Sequence, residues 1–418
     1  MQTSRGPERR RYGHWLTRGR VVFYSCILLL VDLGLPFIHL YGRYALRNAH
    51  ILIPGWDFAV FWSASHLTIN HGAASAYDWA QIEQFALPLQ GLTSTDMLTP
   101  WVYPPTFLLV VWPFAFAPFP FAYLAFVLGG LLFAAFACTQ LVRRRLPAAF
   151  WFAAAAFPPV WIVVMTGQNS FLTVGLMALG LAWLDRRPRL AGACFGLLVI
   201  KPQLGVLIPI ALAFGRRWRA FAAAACTASL LCLVAGAVLG FDAYARFFET
   251  AAAFEHYVVE KMSDWPAGMP TVFGAAHRAG LSAGYAYAIH GAVAVIAVAA
   301  VASLWIRNAR DKLRAAGLVI ASLLCQPYLM SYDFIWMALS LLLLWDDGMS
   351  HGWHPGELTV LVVAWLSPAV FLLPTQWSVG NGMPAVMLAL LTVIILRART
   401  VEAADPVALV QAHREGGT

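Results

Sequence analysis

Residues 190–214 read LAGACFGLLVIKPQLGVLIPIALAF, an apolar stretch long enough to cross a bilayer but split midway by Lys201-Pro202-Gln203. A lysine inside a membrane segment costs about 3 kcal/mol unless a partner or ligand meets it, and proline ends a helix just before itself. The stretch therefore predicts two short helices with a polar turn between them. Residues 313–345 repeat the arrangement, interrupted by Gln326-Pro327 through Tyr332-Asp333. Unbroken candidate spans lie at 21–41, 148–165, 168–184, 218–240, 284–306, 358–373 and 383–397. The block 104–142 contains Pro113, Pro118 and Pro120; it is read as a net single crossing whose first half is interfacial or re-entrant. About twelve spans result, in an all-α, polytopic membrane protein.

Composition agrees. Hydrophobic residues make up 61% of the 418 and charged residues 11%, with a mean hydropathy of +0.69. A soluble domain of this length could not cover its surface with so few charges. Seventeen tryptophans suit two aromatic interface belts. The net charge of +8 is no nucleic-acid footprint, because the arginines stand in short runs between apolar segments, where they orient helices.

Those runs are Arg9-Arg10-Arg11 with Arg18 and Arg20, Arg143-Arg144-Arg145, Arg186-Arg187 with Arg189, Arg216-Arg217 with Arg219, Arg307 through Arg314, and Arg397 with Arg399. Placing all six in the cytoplasm puts both termini there too, in a cytoplasmic membrane. It sends 42–103, the Gly167 turn, the Lys201 turn, 241–283, the Gln326 turn and 374–382 to the outer face. Residues 1–20 are read as a basic cytoplasmic start, 21–397 as one transmembrane domain and 398–418 as a disordered cytoplasmic tail. The first span has no small-residue cleavage site behind it; it is expected to stay uncleaved. Loop 42–103 is too long for a connector. Within it Phe58, Phe61, Trp62, Ser65 and Ile69 repeat at helical spacing, the stripe expected of a short helix lying on the membrane surface. No internal repeat and no second domain are found.

Polar residues in the outer segments are the candidates for chemistry. Asp57 follows Pro54-Gly55-Trp56. Its ordinary role is a helix cap worth about 1 kcal/mol; its chemical role is a partly desolvated base taking a proton from a substrate hydroxyl. Lys201 is either a snorkelling lysine or the cation for a lipid-borne phosphate. Gln168 and Asn169 offer amides for sugar hydroxyls, though Asn169 equally suits a cap. Tyr332 and Asp333 pose the same question as Asp57. The six cysteines all lie in apolar runs without a CxxC pair, so neither a disulfide framework nor a zinc site is expected. His351 and His354 have no third ligand nearby, and no metal or cofactor is expected. No P-loop, GxSxG, HExxH or GxGxxG motif occurs.

Asp57-x4-Trp62 with Gly72 and Tyr77-Asp78, Tyr103-Pro104-Pro105, Gly167-Gln168-Asn169, Ala191-Gly192 with Lys201-Pro202, and Pro327 with Tyr332-Asp333 follow one another in an order that resembles glycosyltransferase family 87. The resemblance covers roughly 20–345. It implies the multi-spanning C-type (GT-C) fold, and a transferase that uses a polyprenyl-phosphate sugar at the outer leaflet, mannosyl- or arabinofuranosyltransferase-like. Asp57 maps onto the family's general base, and the acceptor hydroxyl would attack the anomeric carbon with inversion. Lys201 would hold the leaving phosphate, with Gln168, Asn169, Tyr103, Tyr332 and Asp333 on the donor side and Trp62, His66 and Tyr77 on the acceptor side. The implied partners are the lipid-linked donor, a glycolipid or glycan acceptor and membrane lipids, without nucleic acid. Some relatives carry a histidine where this chain has Tyr332-Asp333, so contacts there do not carry over. A transporter or flippase of a lipid-linked sugar is the alternative, since it too needs a mid-membrane lysine and broken helices. A non-catalytic scaffold subunit is the third.

Overall fold

The computed structural model describes residues 15–48, 51–92, 100–142, 146–260, 269–372 and 382–404. Among them the regular structure is all helical. The first part of the chain supplies α1 (Arg18–Leu40), α2 (Trp56–His71), α3 (Trp79–Gln90), α4 (Pro105–Val111), α5 (Phe119–Leu141), α6 (Ala148–Ala155) and α7 (Pro158–Thr166). Next come α8 (Ser170–Trp183), α9 (Pro188–Leu197), α10 (Pro202–Gly205), α11 (Ile208–Phe214), α12 (Trp218–Leu239) and α13 (Asp242–Phe254). The rest is α14 (Val272–Arg278), α15 (Ala283–Ile306), α16 (Asp311–Leu324), α17 (Met337–His351), α18 (Glu357–Leu366) and α19 (Met383–Ala404).

Four of these helices are long and apolar enough to cross a membrane: α1 with its continuation to Ala45, α5, α12 and α15. A fifth span results if α6 and α7, bent by 52° at their break, are taken as one. The other apolar helices, such as α8, α9 and α18, run to 10–17 residues with any continuing turn, shorter than the about 20 that lipid demands. Such helices are viable where protein, not lipid, encloses them. Accordingly α8 and α16 are buried on nearly every side. Helix α5 packs on α8, α9 on α12, and α15, α17 and α19 surround α16.

Both predicted breaks are present. Lys201 separates α9 and its terminal turn from α10. The run from Gln326 to Met330 separates α16 from the 3-10 turn Ser331–Trp336 that leads into α17. In the block 104–142, α4 and the turn Trp112–Phe116 are short, and α5 alone is long enough to cross. The surface-helix expectation for 42–103 needs correction. α2 exists, but Phe58, Phe61 and Ser65 are fully buried, and only Ile69 of the stripe is exposed. Phe58 sits among Phe114, Phe119, Tyr123 and Phe126, so the stripe faces protein instead of lipid. Most of the expected N-terminal segment and tail lie outside the described residues, although α19 continues to Ala404. So do 374–381 of the expected outer loop and the Arg143 run.

At the end of α17 away from the Lys201 turn, a buried ion cluster fastens the last helix. Arg397 of α19 is 2.9 Å from Asp347 of α17 and also meets Glu357 of α18. Arg310 reaches the same Asp347 at 2.8 Å, and Lys312 pairs with Asp346 at 2.6 Å. His351 belongs here too, its Nδ1 being 3.1 Å from Asp347 O. Among the described residues no group of three or more His, Cys, Asp or Glu could hold a metal ion.

Candidate functional site

Two glycine turns bring the site together. Gly55 caps α2 in the left-handed conformation, φ 89°, and its N–H donates to Met165 O at 2.6 Å. Gly167 ends α7 at φ 72°. A Cβ on Gly167 would lie 2.6 Å from Phe58 Cβ, and one on either glycine would lie 3.0 Å from the Tyr123 ring. Only glycine fits such a conformation and approach without strain. Tyr123 is locked in turn by donating to Val164 O at 2.5 Å. Asp57, two residues after Gly55, and Gln168, next after Gly167, are thereby held face to face.

Asp57 is therefore not the cap of α2; that place belongs to Gly55, and no side chain caps the helix. Its Oδ2 instead accepts a hydrogen bond from Gln168 Nε2 at 3.0 Å. Gln168 Oε1 accepts from the Tyr103 hydroxyl at 2.9 Å and from the Asn169 N–H at 3.1 Å. Tyr77 steadies Tyr103 by donating to its carbonyl at 2.9 Å. Burial pushes the Asp57 carboxyl up from its usual 3.8 to about 6, and nearby Asp333 adds to this, while the Gln168 amide and Lys201 pull it down. Burial, with the Asp333 and Asp57 carboxylates behind it, raises the Tyr103 phenol well above its ordinary range. Tyr103 thus stays a neutral donor.

One residue beyond Asn169, Ser170 donates to Asp333 Oδ1 at 3.1 Å, and Lys201 Nζ lies 2.6 Å from the same oxygen. Lys201 is only 3% exposed, so it does not snorkel. Its ammonium also stands 4.9 Å above the Tyr332 ring. Asp333 takes one of its three donors, and among the described residues no hydrogen bond takes the other two. Asn169 occupies the cap position of α8 but makes no capping bond. It is 1% exposed, and both its Nδ2 and Oδ1 are buried with no partner among the described residues. An amide in that state is costly unless a ligand or water meets it.

Asp57, Tyr103, Gln168, Asn169, Lys201, Tyr332 and Asp333 thus form one connected cluster, with Tyr77 behind it. Trp62 and His66 are not drawn in. They stack on each other with centroids 5.2 Å apart; His66 continues onto Phe85, and the Trp62 indole donates to Ala117 O at 3.0 Å. Sequence reasoning missed Ser170 and Tyr123, and it marked Gln326 as a break without giving it a contact. Gln326 ties the two broken blocks together by donating to Gln203 O at 2.5 Å. The position of Ser170, at the start of α8 and next to a paired amide turn, was the available signal for it.

A cavity of about 830 Å3 lies among α1, α5, α6, α7, α17 and α18, lined almost wholly by apolar side chains and by none of the cluster residues. Phe171 and Ile335, which follow Ser170 and Asp333 closely in the chain, form part of its wall.

No curated protein and no solved structure matches the chain. Residues 101–327 match glycosyltransferase family 87, a span that holds Tyr103, Gln168, Asn169 and Lys201 and begins after Asp57. The match covers more than half of the 418 residues, and together with the apolar helices it shows that the chain belongs to glycosyltransferase family 87 and is a membrane glycosyltransferase.

Proposed function

We propose that the chain transfers a mannose- or arabinose-like sugar from a polyprenyl-phosphate donor to a glycolipid or glycan acceptor at the outer face of the cytoplasmic membrane. It works from a GT-C arrangement of about twelve membrane segments with both termini in the cytoplasm. Asp57 takes the proton of the acceptor hydroxyl as its oxygen bonds to the anomeric carbon. The bond from that carbon to the phosphate oxygen breaks, its electron pair stays on the phosphate, and the configuration inverts. Lys201, oriented by Asp333, holds the charge that develops on the leaving phosphate. Asn169 meets sugar hydroxyls. An apolar cavity walled in part by Phe171 and Ile335, close chain neighbours of Ser170 and Asp333, suits a donor with a lipid tail.

The observation that carries this reading is the single turn Gly167–Ser170, which reaches Asp57 on one side and the Lys201–Asp333 pair on the other. A base and a cation on either side of one buried, unpartnered amide are the groups that displacement of a phosphate by a hydroxyl requires. The test is transfer of radiolabelled sugar from a panel of polyprenyl-phosphate sugars, in membranes holding matched amounts of the unsubstituted protein or Asp57→Asn. Label entering a product with the former alone supports the proposal and names the sugar. Equal transfer by both removes Asp57 as the base. Absence of transfer, with lipid-linked sugar crossing sealed vesicles, would make the chain a transporter.

A further inference from the structure

Gln168 and Asn169 are neighbours of the same amide chemistry, yet the structure gives them different surroundings. The orientation of the Gln168 amide is fixed by a group that can only donate. The Asn169 N–H lies 3.1 Å from one of its terminal atoms, which must therefore be the carbonyl oxygen. The Tyr103 hydroxyl meets that same oxygen at 2.9 Å. The NH2 group is left to face Asp57, 3.0 Å from Oδ2, and an ionised carboxylate only accepts. Both ends of Gln168 are engaged inside the protein, whereas both ends of Asn169 are not.

We infer that Gln168 is a positioning residue for Asp57 and not a ligand of the sugar: its locked amide holds one carboxylate oxygen and leaves the other for the acceptor hydroxyl. The inference rests on the reading of Asp57 as the base. Gln168 acts on Asp57 from the α7–α8 turn. The other titratable groups facing Asp57 are Lys201 ahead of α10, Asp333 and Tyr332 in the turn before α17, Tyr328 after α16, and Tyr103 ahead of α4. The three tyrosines are neutral at working pH, because burial raises each phenol far above it.

The test is an infrared titration of the full-length protein in nanodiscs, following the protonated-carboxyl band that Asp57→Asn removes. In the unsubstituted protein its midpoint should lie at about 6. Gln168→Met keeps the bulk and deletes the donor, so the midpoint should rise by about one pH unit. Tyr103→Phe should leave it in place, since the Asn169 N–H still holds the amide oxygen. If Gln168→Met does not fold, Gln168→Leu deletes the same donor without adding a charge, and the midpoint should rise as far. A midpoint unmoved in the Gln168 variants, or moved as far by Tyr103→Phe, overturns the inference. The acid limb of transfer from a polyprenyl-phosphate sugar should follow the same shift. A midpoint that rises while that limb stays put upholds the hold of Gln168 on Asp57 and removes Asp57 as the base.

Discussion

Replacing Lys201 separates what the site does for the fold from what it does for the reaction. The Lys201 and Asp333 side chains are each 4% exposed and 2.6 Å apart, and among the described residues the only other group bonded to that Asp333 oxygen is the Ser170 hydroxyl, 3.1 Å away. Lys201→Met fills a similar volume and removes the cation. It leaves a buried carboxylate with one neutral donor, which costs about 3–5 kcal/mol, a large part of a typical folding free energy of about 5–15 kcal/mol. The double variant Lys201→Met/Asp333→Leu removes both charges. Replacing a buried pair by apolar side chains of similar size is neutral or stabilising, so the double variant should recover most of the loss. Unfolding in detergent, followed by tryptophan fluorescence, gives the coupling of the two sites, expected at about 3 kcal/mol. Transfer activity should be lost in both variants if, as proposed, Lys201 is the cation for the leaving phosphate. Lys201→Met as stable as the unsubstituted protein would show that the pair is not buried in solution. A double variant with full transfer would remove Lys201 from the reaction.

Asp57→Asn should lower transfer by about 10²–10⁴-fold. On the proposed mechanism Asp57 works only when ionised, so kcat/KM should be flat above its raised value of about 6 and fall tenfold per pH unit below it, as a pH profile will show. Asn169→Ala should raise KM for the sugar donor and leave that acid limb in place, because its amide touches no titrating group. Gly167→Ala forces a left-handed φ of 72° and a contact 2.6 Å from Phe58 Cβ. The conformation alone costs about 1–2 kcal/mol, so melting temperature and transfer should both drop. Arg397→Met should cost about 3 kcal/mol of stability, the low end of the range because Arg310 still faces Asp347, with KM unchanged in the protein that folds.

The broken spans were legible because a lysine or a Gln-Pro pair inside an apolar run has few explanations. Lys201 and the Gln326–Asp333 segment were both singled out on that ground, and the structure joins them. Which partner Lys201 takes was not legible. Asp333 lies 132 residues away, and no local pattern reports such a distance. The spacing of Phe58, Phe61, Trp62 and Ser65 marked a helix correctly but not its surroundings, since a stripe that would face lipid has the same period as one that faces protein. Gln168 was read as a sugar ligand from residue type and from the family resemblance. Its neighbours Asp57 and Tyr103 come from α2 and the turn before α4, and they occupy its amide. Counting spans from apolar runs gave about twelve; four helices, or five with the bent pair, are long enough to cross unaided. Enclosed helices such as α8 need only be as long as their protein surroundings allow.

The charge cluster around Arg397 has a consequence for how the chain is made. Asp347 is wholly buried and Glu357 nearly so, and both belong to helices synthesised before α19, which brings their buried arginine. A chain that stops short of Met383 would leave Glu357 without that arginine and Asp347 with Arg310 as its remaining one. An incomplete translation product would therefore carry acids on α17 and α18 that lack part of their compensating charge. The last helix thus supplies the cation that the two helices before it are built to receive.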